Sequence, residues 1–300
     1  EAYVTLDDGQ LLVLEEDLRR QLLALAAFAD PSGARLPASA LAWVASVDLD
    51  VEADADLTAR LERARRVIAT RPKVPVTLAA DLRAYQREGF EWLARLASLG
   101  LGACLADDMG LGKTVQTLAL LLSRARGGRA LVVAPTSVVA GWAEQALRFA
   151  PSLRLRPLEP GMPRADRERA VREASRFDVV LTSWDLLWRE QALLTEDRWC
   201  TVVLDEAQAM KNASSKRAKA AGALAADARV ALSGTPIENR LEELHSLFGF
   251  LQPGLLGTER AFRRDVVAPC ASGDVVARDR LRRRIAPFVL RRTKAAVLRD

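Results

Sequence analysis

The sequence predicts an α/β fold: a parallel sheet with helices on both faces, preceded by a small N-terminal α+β accessory segment. Three observations predict it. From residue 82 onward, short apolar runs alternate with helix-length amphipathic segments. One of these runs ends in a glycine-rich turn that opens a helix, and another ends in two adjacent carboxylates. Strands covered on both faces read as short continuous apolar runs, and such sheets bind ligands beyond the carboxyl ends of their strands.

Residues 1–75 make up the accessory segment. Tyr3 to Leu14 alternates around Asp8-Gly9, which reads as a tight turn between two short strands. Leu18 to Phe28 and Leu57 to Ile68 follow as helices, the second with many exposed arginines. Pro31, Pro37, Pro72 and Pro75 punctuate the segment, and the last pair sets the boundary with a larger domain over 76–300.

That domain opens with Leu82 to Leu99, where Tyr85, Gly89, Trp92, Leu93, Leu96 and Leu99 share one helical face. The expected strands are Ala103–Ala106, Ala130–Ala134, Phe177–Thr182, Thr201–Leu204 and Arg229–Leu232. Helices are expected over Lys113–Arg124, Val138–Phe149, Arg164–Ser175 and Ser214–Ala225. No internal repeat appears.

Composition narrows the function classes. Half of the residues are hydrophobic, yet no run reaches the ~18 to 20 apolar residues of a membrane span, so no membrane partner is expected. Glu1 to Gln10 is polar and acidic, unlike a secretory signal, and a first residue other than Met fits a processed or excised chain. Cys104, Cys200 and Cys270 are odd in number and widely spaced, which is neither a disulfide framework nor a zinc site. A cytoplasmic setting is expected. Residues 1–75 carry thirteen acids and nine bases, net −4, so a chain of net +5 leaves +9 on the remainder. A basic domain suits nucleic acid, although 38 arginines against six lysines is also what genome composition produces.

Asp107-Asp108-Met109-Gly110-Leu111-Gly112-Lys113-Thr114 follows an apolar run and opens a helix, the setting of a phosphate loop. Gly110 and Gly112 let successive N–H groups turn toward phosphate oxygens, and the helix start adds a positive dipole end. Lys113 is placed to neutralise the β- and γ-phosphates of ATP, and Thr114 to offer a hydroxyl to Mg²⁺. Asp107 stands where the usual pattern has its first glycine. Thr201 to Leu204 then ends in Asp205-Glu206, one acid to hold Mg²⁺ and one to orient and activate water. An acid pair at a strand end also serves as a helix cap; the phosphate loop upstream favours the catalytic reading.

Asp205-Glu206-Ala207-Gln208 is similar to the DExx box of superfamily-two helicases, and the wider set resembles bacterial ATPases of the SWI/SNF family. Leu82 to Leu93 resembles the glutamine motif, which implies that Gln86 reads adenine. Asp107 to Thr114 resembles the family's phosphate loop, which shares the missing first glycine and has Glu where Asp108 stands. Leu131 to Val138 with Trp142 resembles motif Ia, and Val180 to Asp185 motif Ib. Asp205 to Asn212 resembles motif II, Leu232 to Asn239 motif III, and Pro287 to Lys294 the segment that ends the first lobe. The motifs occur in family order and span Leu82 to Lys294.

The resemblance implies a RecA-like first lobe of a two-lobed, ATP-driven motor that tracks along double-stranded DNA without separating the strands. It implies an ATP site containing Met109, Gly110, Leu111 and Gly112, and a cytoplasmic, nucleoid-associated setting. Thr136, Ser137, Thr182, Ser183 and Lys211 would contact the DNA backbone, although each hydroxyl is equally suited to capping a helix. Ser233 and Thr235 would couple the nucleotide to the DNA-facing side. Residues 280–299 carry eight bases and no acid, which fits a hinge to the second lobe, a brace against DNA, or a solvated face.

No segment resembles the late helicase motif Gln-x-x-Gly-Arg-x-x-Arg, whose arginine finger would come from the second lobe. These 300 residues are therefore expected to bind ATP but hydrolyse it weakly. A motor that displaces DNA-bound complexes such as RNA polymerase remains an alternative. So does a small-molecule kinase, in which Leu232-Ser-Gly-Thr-Pro236 would have no purpose.

Overall fold

The computed structural model describes residues 3–5, 11–13, 21, 22, 25, 26, 28, 40–46, 54–211, 213–234 and 241–297. They fall into two compact units. One comprises residues 1–69 with 264–287, and the other residues 70–263 with 288–300.

In the first unit, β1 (Tyr3–Thr5) pairs antiparallel with β2 (Leu11–Val13), with Tyr3 opposite Val13. This is the expected hairpin, whose turn lies outside the described residues. The helices Ala40–Ser46 and Ala55–Ala69 pack together, the second burying Leu61 and Ala64. Of the expected helix over Leu18 to Phe28, residues 21, 22, 25, 26 and 28 are helical and the rest lie outside the described set. Helix Val275–Ile285 starts at Asp274, whose carboxylate accepts from the N–H groups of Val276 and Ala277.

The second unit is built on seven parallel strands. They are β3 (Ala103–Leu105), β4 (Ala130–Ala134), β5 (Arg154–Pro157), β6 (Asp178–Ser183), β7 (Trp199–Leu204), β8 (Ala226–Leu232) and β9 (Val289–Leu290). Their spatial order is β5-β6-β4-β7-β8-β3-β9. The five apolar runs singled out in the sequence are β3, β4, β6, β7 and β8. The two additions are the edge strands. β5 reads Arg-Leu-Arg-Pro, polar on its open side and ended by a proline, as edge strands tend to be. β9 is two residues long, too short to leave a pattern.

Period-two alternation divides the side chains between the two faces. Leu131, Val133, Val180, Val202, Leu204 and Ala231 pack in one core with Trp184, Leu187, Leu194, Ala221, Leu247 and Leu251 from helices over residues 184–251. The alternate residues, among them Val132, Val203, Val230 and Leu105, are equally buried and point to the other face. The helices Ala84–Ser98, Lys113–Arg124 and Thr136–Phe149 lie against the sheet and one another in sequence order. The fold is the expected one. Trp199, fully buried, shows how tightly the lower layer is tied: its indole donates to Leu194 O at 2.8 Å, and Arg129 stacks 4.5 Å above its ring.

Candidate functional site

The carboxyl ends of three adjacent strands come out level. Leu105 pairs with Leu232 and Leu204 with Ala231, so the loops after β3, β7 and β8 emerge side by side. These loops hold residues 106–112, Asp205-Glu206 and Ser233-Gly234. The Ser233 N–H donates to Leu105 O at 3.2 Å, and the Asp205 N–H to Val133 O at 2.7 Å, fixing both loop starts to neighbouring strands.

The loop after β3 has the required backbone. Gly110 and Gly112 adopt φ of +85° and +78°, the left-handed region that glycine enters without strain. Gly112 is also short of space, because a Cβ there would sit 2.5 Å from Gln86 Nε2. It caps the helix Lys113–Arg124 with no side-chain bond, which leaves the first N–H groups of that helix open. Lys113 folds back over the loop and donates to Asp107 O at 2.7 Å and Asp108 O at 3.4 Å. Thr114 is half-buried in the first turn. Leu111 is buried, whereas Met109 is 68% exposed.

Asp107, at the position of the absent glycine, is fully buried. Arg292 closes on it with two prongs, Nε to Oδ1 at 2.9 Å and Nη2 to Oδ2 at 2.5 Å, and its own N–H adds a third contact at 3.1 Å. The same guanidinium donates to Gln116 Oε1 at 3.0 Å and to Tyr85 O, and lies 5.3 Å from the Tyr85 ring. Two backbone bonds continue the contact: Ala106 N–H to Leu290 O at 2.7 Å and Asp108 N–H to Arg292 O at 3.0 Å. The loop is thus clamped from the β9 side. Gln86 accepts from the Arg83 N–H at 3.0 Å and donates to Leu111 O at 3.3 Å, so its amide rests on the same loop.

Across from this loop lies the acid pair. Asp205 is 8% exposed, and no ion pair reaches it among the described residues. Its Oδ2 accepts from the Trp142 indole at 2.7 Å and its Oδ1 from the Glu206 N–H at 2.9 Å. Burial raises its pKa above the ordinary value; the Trp142 and Glu206 hydrogen bonds oppose that rise, and the nearby Glu206 charge adds to it. The carbonyl of Asp205 accepts from the Trp184 indole at 3.0 Å. Glu206 takes φ of +48°, a strained value for a residue with a side chain. Gln208 donates to Glu206 Oε2 and accepts from the Ser233 hydroxyl at 2.9 Å, linking the loops after β7 and β8.

A buried carboxylate without a cationic partner, facing a glycine loop with a lysine and open N–H groups, suits a phosphate-bound divalent cation. Among the described residues, no cluster of three or more His, Cys, Asp or Glu could hold a metal by itself.

Other predicted residues are placed as follows. Thr136 and Ser137 are exposed in the first turn of the helix Thr136–Phe149, which follows Pro135 and has no side-chain cap. Lys211 is exposed. Ser183 is 3% exposed, and its hydroxyl caps a helix by accepting from the Leu186 N–H, while Thr182 is fully buried with no partner for its hydroxyl. Thr235 lies outside the described residues. Of the basic stretch at 280–299, Arg292 belongs to the site itself.

The sequence places Trp142, Trp184, Gln208 and Arg292 within motifs or the basic stretch but does not indicate the contacts they make. The tryptophans did carry a signal, since a buried indole N–H seeks an acceptor. Asp107 carried another, because a carboxylate buried in a strand-end loop needs a cation. Its partner lies 185 residues away, beyond any local pattern.

The model of the SNF2-related domain matches residues 85–300. YwqA of Bacillus subtilis, named as a candidate ATP-dependent helicase/translocase, is 42% identical over 228 residues, covering 74% of this chain and 24% of YwqA. The human TATA-binding protein-associated factor 172 is 36% identical over 255 residues, covering 76% of this chain and 14% of that protein. Among solved structures, the SWI2/SNF2 ATPase core of Sulfolobus solfataricus in complex with double-stranded DNA superposes with a TM-score of 0.69. It is 39% identical and covers 77% of this chain and 48% of that one. The chain therefore spans a quarter or less of these two curated relatives.

Proposed function

This chain belongs to the SNF2-related domain family, and from that membership we propose that it is the ATP-binding first lobe of a motor that moves along double-stranded DNA without separating its strands. One observation carries the reading: the phosphate loop, the acid pair and Ser233 emerge side by side from β3, β7 and β8. The superposed Sulfolobus core, which holds double-stranded DNA, supports the choice of partner.

In this reading Lys113 leaves the carbonyls of Asp107 and Asp108 for the β- and γ-phosphates, and the glycine-loop N–H groups hold the same phosphates. Thr114 and Asp205 hold Mg²⁺, which screens phosphate charge in the transition state. Glu206 takes a proton from the attacking water, positioned by Gln208. Gln86 turns its amide from Leu111 O to adenine. Thr136, Ser137 and Lys211 contact DNA phosphates, and Ser183 and Thr182 do so only after a rearrangement that uncaps the helix after β6. Ser233 and Thr235 couple the two ligands. The accessory segment, residues 1–75, is distinct from the lobe over 76–300. These 300 residues alone hydrolyse ATP weakly, since an arginine finger worth ~10³ to 10⁵ in rate comes from a second lobe.

A second reading is that the motor displaces a protein complex such as RNA polymerase from DNA; the likeness to a TATA-binding protein-associated factor supports only that a relative works beside a DNA-bound protein. The deciding experiment measures ATPase activity of the full protein with and without duplex DNA, with Lys113→Ala as control. Stimulation by duplex and loss in the variant are expected. Activity indifferent to DNA would favour a small-molecule substrate instead.

A further inference from the structure

Asp205 is held by two indoles, one on its side chain and one on its backbone. Trp142 donates to Oδ2 at 2.7 Å and Trp184 donates to the carbonyl oxygen at 3.0 Å. Both rings are 3% exposed, so neither contact competes with water. The second carboxylate oxygen accepts from the adjacent Glu206 N–H at 2.9 Å, a contact within the same loop, so Trp142 is the hold on the carboxylate that comes from another element. The carboxylate plane is therefore set by where Trp142 stands.

Trp142 stands on the helix Thr136–Phe149, six residues after its exposed start. Six residues of α-helix span about 9 Å. The hydrogen-bonded helix backbone joins Thr136 and Ser137 directly to the indole-bearing residue, so a shift at the helix start is carried toward Trp142. Trp184 belongs to the segment after β6 and keeps the Asp205 backbone in place while the side chain follows the other ring. One tryptophan thus serves as the anchor and the other as the lever.

We propose that Trp142 is a positioning residue through which contact at the start of its helix sets the orientation of the Asp205 carboxylate toward the nucleotide-bound cation. The inference rests on the reading above, in which that helix start meets DNA phosphates and Asp205 faces Mg²⁺. It goes beyond it by naming the atom that joins the two sites. Coupling of this kind is reciprocal: if DNA improves cation binding, the Mg-nucleotide complex improves DNA binding by the same factor.

The test is an equilibrium measurement on the full protein. The half-saturating Mg²⁺ for binding of a fluorescent, non-hydrolysable ATP analogue is determined with and without duplex DNA. Wild type is expected to need less Mg²⁺ when DNA is present. Trp142→Phe, which keeps a ring and removes the N–H, is expected to raise the Mg²⁺ requirement roughly tenfold, the size of one hydrogen bond to a charged group. It should also abolish the effect of DNA on that requirement, while analogue binding at saturating Mg²⁺ stays unchanged. Should the phenylalanine variant fail to fold, 3-benzothienylalanine at position 142 has the shape of tryptophan without the donor, and the same outcome is expected. An unchanged Mg²⁺ requirement and unchanged DNA effect in the folded variant overturn the proposal. If wild-type ATPase ignores DNA, or Lys113→Ala retains activity, the underlying reading fails instead.

Discussion

Arg292 and Asp107, 185 residues apart in the chain, form a two-pronged ion pair at 2.9 and 2.5 Å in which the aspartate is fully buried. The pair explains how a buried loop position accepts a carboxylate where the usual pattern has a glycine. The acid is buried against a guanidinium that also holds Tyr85 O and Gln116. Removing one partner leaves a buried charge, which costs more than the pair contributes.

Arg292→Ala is accordingly expected to destabilise the domain by about 3 to 5 kcal/mol. Arg292→Lys, which offers a point charge to a bidentate acceptor, should recover only part of that. The double variant Arg292→Met with Asp107→Ala should be milder than Arg292→Ala alone. Urea unfolding of these variants, wild type and the single variants Arg292→Met and Asp107→Ala checks this, and strict additivity of the two single changes in the double variant would count against a direct pair.

A second buried aspartate contributes to the acid limb of stability. Burial works to raise the pKa of Asp178, but hydrogen bonds from Arg154 at 2.7 Å and the Ser175 N–H at 2.7 Å, with the Arg156 charge, hold it below the ordinary value. A carboxyl with a lowered folded pKa contributes stability above its unfolded value of about 3.9 and loses it as pH falls through the folded value. Asp178→Asn should therefore be less stable than wild type at pH 7, with the gap closing below about pH 4. Thermal melts across that range check the sign.

Gly102 immediately precedes β3, and a Cβ there would sit 2.2 Å from Leu251 O at the end of the helix Leu241–Leu251. The obstruction is backbone, which does not rotate aside. Gly102→Ala is expected to cost about 1 to 3 kcal/mol through forced displacement. Gly141→Ala, which meets nothing within 4 Å, is the control.

Glu206→Gln should separate binding from turnover. In the full protein, ATP affinity is expected to stay within a few-fold while hydrolysis falls by about 10² to 10⁴, the usual contribution of a positioned base. Single-turnover hydrolysis with parallel nucleotide titration checks it. Equal losses in both would make Glu206 structural.

Sequence patterning located β3, β4, β6, β7 and β8 because strands buried on both faces must be apolar throughout. It missed β5 and β9 because edge strands need neither length nor apolar character. Lys113, Asp205 and Glu206 could be singled out because phosphate and metal chemistry ties residue type to spacing, and the structure brings their loops to one edge of the sheet. Arg292 and Trp142 could not be, since their roles depend on partners 185 and 63 residues away. Ser183 shows a different limit: a short hydroxyl at a strand end suits a phosphate or a helix cap, and here it caps.

The strand order also bears on how the domain assembles. β3 has only β8 and β9 for neighbours, with Cys104 opposite Ala231 and Val289, whereas β4, β5, β6 and β7 pair among themselves over shorter stretches of chain. Distant pairings close large loops before they are rewarded, so they form late. During refolding, the amides of β4, β6 and β7 are expected to gain protection before those of β3, as pulsed hydrogen exchange would reveal. The strand that carries the glycine loop is made before both of its partners and waits for them before it acquires a bed.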